Sequence, residues 1–201
     1  MPTSLIVVDD FFDDALAVRE SALKLSYPSV QGVFPGRNSV ERLDIPGLDR
    51  AVSQLVGEPV RAVNPLQSHC KCRITLADDA GTGHVHIDPA HWSGIAYLSL
   101  PEHCRGGTEF FRHKATGTER APYDDAEAAR HGYATGREMV SQIIGRDGLD
   151  ASAWEPTMTV PMRFNRLVLL RPWLWHTAGE KFGDRLENGR LVLLFFFQSA
   201  R

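Results

Sequence analysis

The sequence predicts a mainly β fold with flanking helices, of α+β type, and three observations predict it. Helical periodicity comes early, before Pro59. From Gln67 the period changes to two, and short apolar runs divided by Gly and Pro continue to the end. Strands do not alternate with helices, which argues against a doubly wound parallel sheet and for a β-sandwich or barrel with helices packed outside.

Leu5–Val8 reads as a short buried strand. Asp13 or Asp14 then caps a helix running to about Leu25, with Leu16, Val18 and Leu23 near one face. Gly32, Pro35, Gly36 and Asn38 make 27–38 a loop. After Pro46-Gly47, Leu48, Val52, Leu55 and Val56 fall on one helical stripe, which Pro59 ends. Cys70, Cys72, Ile74 and Leu76 alternate with polar residues as in a half-buried strand, and 78–83 forms a turn before a strand carrying His86 and Asp88. Gly94–Leu100, Thr108–Phe111, Met158–Val160, Leu167–Leu170 and Leu191–Phe197 read as further strands. Residues of about 114–150 form a polar excursion with two short helices, near Asp124–His131 and Arg137–Ile144, too polar to bury much of its own. The expected organisation is one domain over 1–201, with 1–66 supporting a core of 67–201.

Composition sets the bounds. A chain of 201 residues with 43% hydrophobic residues can bury a core. A formal net charge of −3 argues against a nucleic-acid or membrane-surface partner. Three cysteines, Cys70, Cys72 and Cys104, do not make a disulfide framework. The first residues lack a basic leader and the apolar run is cut short by Asp9 and Asp10, so the expected setting is cytoplasmic with reduced thiols.

His84, His86 and Asp88 alternate, and on an extended backbone they project to one face. His86 and Asp88 supply two corners of a two-His, one-carboxylate metal site. The third candidate is His176, which follows the apolar run 167–170. Arg190 heads the very apolar run 191–197, and a lone guanidinium there requires an anionic partner.

Together, His86-x-Asp88, Tyr97-Leu98, Gly106-Gly107-Thr108-Glu109-Phe110, His176 and Arg190 resemble the iron(II)- and 2-oxoglutarate-dependent dioxygenases, and most nearly their prolyl 4-hydroxylase-like branch. The resemblance covers the chain from about Cys70 to the end. It implies a double-stranded β-helix, or jelly-roll, core. It implies Fe(II) held by His86, Asp88 and His176, 2-oxoglutarate clamped by Arg190 with help from Tyr97, and dioxygen as oxidant. The implied reaction hydroxylates an unactivated C–H bond of a small molecule or peptide side chain, releasing succinate and carbon dioxide. Two departures stand out. Arg185 competes with Arg190 for the clamp because the interval from His176 is long. Val192 stands where many relatives carry a hydroxyl.

Each residue also has a plainer reading. His86 and Asp88 could form a surface pair, Arg190 could pair with Glu187 or Glu109, and Tyr97 could be a core aromatic. Trp92, Trp173 and Trp175 fit core packing as well as a cleft wall. Two other functions compete: a zinc hydrolase using His84, His86 and Asp88, and a jelly-roll module that binds without catalysis. The ligation of His84 and the facing of Arg190 separate the first of these from an oxygenase. The sequence leaves the substrate and the oligomeric state open.

Overall fold

A computed structural model describes residues 3–29, 34–81 and 84–200. Parts of the expected 27–38 loop and 78–83 turn therefore lie outside the described residues. Among the described residues the strands are β1 (Leu5–Val8), β2 (Arg37–Asn38), β3 (Val60–Ala62), β4 (Cys72–Thr75), β5 (Trp92–Tyr97), β6 (Gly107–His113), β7 (Trp154–Pro161), β8 (Leu167–Leu170), β9 (His176–Thr177) and β10 (Arg190–Ser199). The α-helices are α1 (Ala15–Leu23), α2 (Leu48–Val56), α3 (Asp125–Arg130) and α4 (Gly136–Asp147).

The strands form two antiparallel sheets. The larger runs β1-β8-β5-β10-β4-β2, with β3 also paired to β10, and the smaller runs β7-β6-β9. Side-chain alternation gives the larger sheet two different faces. Leu191, Leu193, Phe195 and Phe197 of β10 pack with Cys72, Ile74, Leu167 and Leu169 beneath Ala22 of α1 and Leu48 and Val52 of α2. Burying a side chain such as Phe195 completely contributes about 1.5–3 kcal/mol. The opposite face, with Tyr97, Val168, Leu170 and Val192, packs on Phe110 and Val160 of the smaller sheet. Gly107 allows the two-strand approach of β6 and β7, since a side chain there would strike the Val160 carbonyl.

Several expectations change in the structure. Helix α1 is capped by Asp14, whose carboxylate accepts from Ala17 N at 2.9 Å, but it buries Ala15, Arg19 and Ala22 while Leu16 is exposed. Arg19 explains the rotation: its guanidinium donates to the Leu98 and Glu187 carbonyls at 2.6 and 2.5 Å. Strand β4 is shorter than the alternating run because Gln67 and Cys70 take left-handed backbone (φ 46° and 59°), which breaks the extended chain. The excursion does carry its two helices. It also buries more than its polarity suggests, because Ala128, Met139 and Ile143 join Val85, Trp154 and Trp175 in a third apolar cluster. Among the described residues no helix is long and apolar enough to cross a membrane.

Candidate metal centre and its cavity

Residues 84–88 do not form a ladder strand. His86 makes an isolated antiparallel bridge with His176: its N–H donates to the His176 carbonyl at 2.9 Å, and its carbonyl accepts from His176 N at 3.2 Å. Asp88 N then donates to the Pro172 carbonyl at 3.1 Å. His176 itself lies on β9, paired with Phe110 of the smaller sheet, and not at the end of β8. One candidate ligand is therefore positioned by a sheet, and the second is pinned to it by reciprocal backbone hydrogen bonds.

His86, Asp88 and His176 offer ligand atoms that all lie within 4.8 Å of one another. His86 Nδ1 lies 2.9 Å from the His84 carbonyl, and His176 Nδ1 lies 2.7 Å from the Leu174 carbonyl. A carbonyl only accepts, so both Nδ1 atoms carry a proton and both Nε2 atoms are the ones turned towards Asp88, where a metal would bind. Those Nε2 atoms stand 3.8 and 3.5 Å from the two Asp88 oxygens. Ser93 Oγ donates to Asp88 Oδ2 at 2.7 Å and fixes the carboxylate.

The electrostatics follow from burial and proximity. Burial, followed by the His176 charge, pushes His86 down to about 4, so its imidazole is neutral near pH 7. Burial raises the Asp88 carboxyl, but the bond and charge of His176, then His86 and Ser93, bring it down to about 2. For His176 burial acts downward and the Asp88 bond and charge outweigh it, so its proton is held more tightly than usual. An ionised carboxylate between two imidazoles whose Nε2 atoms face it is a donor set that suits a divalent transition metal, which would take the place of the His176 Nε2 proton.

The trio lines a cavity of about 390 Å³, at the lower end of the range for small-molecule sites. Arg190, Val192, Leu194 and Phe196 of β10 form one wall, Arg73 and Thr75 of β4 another, and Ser93 and Ile95 of β5 a third. Thr177, Gly179 and Lys181 continue from His176, and Phe34 and Pro35 close over the imidazoles. Phe34 stacks on His84 at 4.2 Å and meets His86 edge-on at 4.8 Å. His84 is thus committed to an aromatic stack and stands outside the ligand trio.

Arg190 is 3% exposed, and its Nε and Nη2 are buried without a hydrogen-bond partner. These two N–H groups form one edge of the guanidinium fork, the edge that takes a carboxylate side-on. Burial lowers its proton affinity, and Tyr97 and Glu109 act in the other direction. No ion pair joins Arg190 to Glu187 or Glu109 among the described residues; Glu187 instead lies 3.9 Å from Arg185. Arg185 is exposed, also meets Asp184 at 3.7 Å, and is not part of the cavity wall. Tyr97 is fully buried and shares a 2.7 Å hydrogen bond with Thr108 Oγ1. The Arg190 guanidinium carbon stands 5.9 Å from the centre of its ring. Trp175 is in the third apolar cluster, and Trp92 and Trp173 flank the Arg171 guanidinium at 4.0 and 5.2 Å.

Arg73 and Lys181 were not anticipated. Parity was the available signal for Arg73: Cys72 and Ile74 face the helices, so Arg73 and Thr75 must face the other way.

This fold is shared with proteins of known structure. The carbocyclase SnoK, a non-heme alpha-ketoglutarate-dependent enzyme from nogalamycin biosynthesis, aligns over 100% of this chain and 87% of its own, with a TM-score of 0.55 and 13% identity. The alpha-ketoglutarate-dependent epimerase SnoN, from the same biosynthesis, aligns over 98% of this chain and 79% of its own, with a TM-score of 0.52 and 14% identity. At such identities the likeness is one of fold. The chain belongs to DUF6445, a family of unknown function whose model matches residues 2–197. No curated protein matches it.

Proposed function

We propose that this protein is an iron(II)- and 2-oxoglutarate-dependent oxygenase that hydroxylates an unactivated C–H bond of a small molecule or peptide side chain, with release of succinate and carbon dioxide. The observation that carries the reading is the unpaired edge of Arg190 on the wall of the same cavity as the His86, Asp88 and His176 trio. A buried guanidinium without an acceptor is costly, and a dicarboxylic cosubstrate seated in the cavity supplies that acceptor. The fold shared with SnoK and SnoN supports the same class. The two sheets are then read as the halves of a double-stranded β-helix in a single domain. The nearer kinship to the prolyl 4-hydroxylase-like branch rests on motif order alone.

In this reading His86, Asp88 and His176 hold iron through Nε2, a carboxylate oxygen and Nε2, with Ser93 keeping Asp88 in place. Arg190 receives the distal carboxylate of 2-oxoglutarate, and Tyr97 enters that seat through the guanidinium above its ring. When bound, iron(II) with its keto-acid cosubstrate supplies the dioxygen-activating chemistry. Ile95, Val192, Leu194 and Phe196 make much of the wall apolar and keep water from the reacting atoms. The zinc-hydrolase alternative needs His84 as a ligand, and the clustered trio is His86, Asp88 and His176 instead. A binding module without iron gives no reason for both Nδ1 protons to be tied back.

The test is anaerobic addition of iron(II) and 2-oxoglutarate, followed by visible absorption. The reading expects a metal-to-ligand band that His176→Ala abolishes and Arg190→Met weakens. Absence of the band in the wild-type protein would overturn it.

A further inference from the structure

The cavity holds more positive charge than the proposed cosubstrate uses. Among the described residues that line it, Arg73, Lys181 and Arg190 are cationic and Asp88 is the one carboxylate. A divalent metal and a doubly charged cosubstrate cancel, which leaves two positive charges over. Surface cations lose such an excess to solvent and salt, but a walled cavity does not.

The acceptors given to these cations are neutral. Arg73 Nη1 donates to Asn38 Oδ1 at 2.7 Å, and Nη2 donates to the Pro35 carbonyl at 2.6 Å. Lys181 Nζ donates to the Asp79 carbonyl at 2.9 Å. Among the described residues neither meets a carboxylate side chain within ion-pair distance. Arg73 sits opposite Val192 in the β4–β10 register, one alternation along from the Thr75–Arg190 pair, so the two guanidiniums occupy neighbouring positions on one face. Burial, then the Arg190 charge, makes Arg73 hold its proton less tightly, as expected of like charges side by side. Such a pair is relieved by anions, and one dicarboxylate carries only one distal group for them to share.

We infer that the substrate is a small molecule bearing a carboxylate or phosphate group, received by Arg73 and Lys181 while Arg190 holds the cosubstrate. This rests on the oxygenase reading above. The cavity volume fits it: once a dicarboxylate is seated, the remaining space takes a compact molecule or one short arm of a larger one.

The test uses the full chain loaded anaerobically with iron(II) and 2-oxoglutarate. Small carboxylates, their neutral amides, and phosphate monoesters are added, and the visible band is followed for a shift. Hits confined to the acids or the phosphate esters are expected, and the arm that responds names the group. Lys181→Met and Arg73→Met should each raise the half-saturating concentration of the best hit by about tenfold, the loss of roughly one charge-assisted hydrogen bond. The affinity for 2-oxoglutarate should not change in either. Arg73 also ties down the Pro35 segment, so Lys181→Met keeps the question answerable if Arg73→Met does not fold. Neutral amides that shift the band as well as acids do would overturn the inference. So would a set of acids and phosphate esters that leaves the band unmoved, or variants that weaken 2-oxoglutarate and not the hit. A wild-type protein that gives no band at all removes the oxygenase reading itself, a different result from any of these.

Discussion

Replacing Arg190 by Met should move binding and stability in opposite directions. The guanidinium is 3% exposed, and two of its nitrogens lack a partner. In the ligand-free protein this is a buried charge without compensation, and its replacement by an apolar chain of similar length stabilises by about 1–4 kcal/mol. For a chain of this size each kcal/mol is worth about 2–4 °C in Tm, so the ligand-free variant should melt several degrees above wild type. Cosubstrate binding should suffer in the opposite sense. Losing two charge-assisted hydrogen bonds at about 1.5–3 kcal/mol each weakens 2-oxoglutarate by roughly a hundredfold to ten-thousandfold. Thermal melting of metal-loaded protein with and without 2-oxoglutarate reads both effects. At a hundred times its Kd the cosubstrate stabilises wild type by about 2.7 kcal/mol, and at that concentration it should stabilise the variant by about 0.4 kcal/mol at most. A ligand-free variant that melts below wild type, or one that 2-oxoglutarate stabilises as much as wild type, would refute the reasoning.

Ser93→Ala should lower metal affinity by about tenfold to a hundredfold, because Asp88 loses the hydroxyl that orients it; titration calorimetry with iron(II) or manganese(II) checks this. Met139→Ala, fully buried in the third cluster, should destabilise the protein by about 2–5 kcal/mol in urea denaturation and weaken metal binding, since Val85 packs in that cluster one residue from His86. Glu58 should contribute to acid unfolding. Burial raises its carboxyl, but Trp92, His91 and Arg171 outweigh that and bring it down to about 2 from 4.5. Its folded value is the lower one, so its contribution is present above pH 4.5 and fades as pH falls towards 2, at about 1–2 kcal/mol once solvent screening is allowed for. Glu58→Gln should remove that part of the slope when stability is measured against pH.

What the sequence made legible was chiefly local. The apolar runs at 5–8 and 167–170 are strands with those bounds, and the Leu48–Val52 stripe faces the core. The alternation of His86 and Asp88 does place both on one cavity, although the backbone there is held by a single bridge and not by a ladder. Less could be read where position depends on distant chain. His176 lies on a two-residue strand, too short to carry a pattern, and its place comes from pairing with Phe110 and His86. Nothing in the helical pattern marks Arg19 for burial, and only the carbonyls of Leu98 and Glu187 explain it. The inward facing of Arg73 needed the knowledge that α1 and α2 cover the other side of β4.

The helices of the 114–150 excursion stand behind the centre and not in front of it. Val85 and Ile87 lean on that packing, while His86 and Asp88 point away from it into the cavity. A single proteolytic nick between α3 and α4 would therefore loosen the backing of His86 and Asp88 without cutting either residue. The far side of the molecule is where the rigidity of the proposed metal centre can be adjusted.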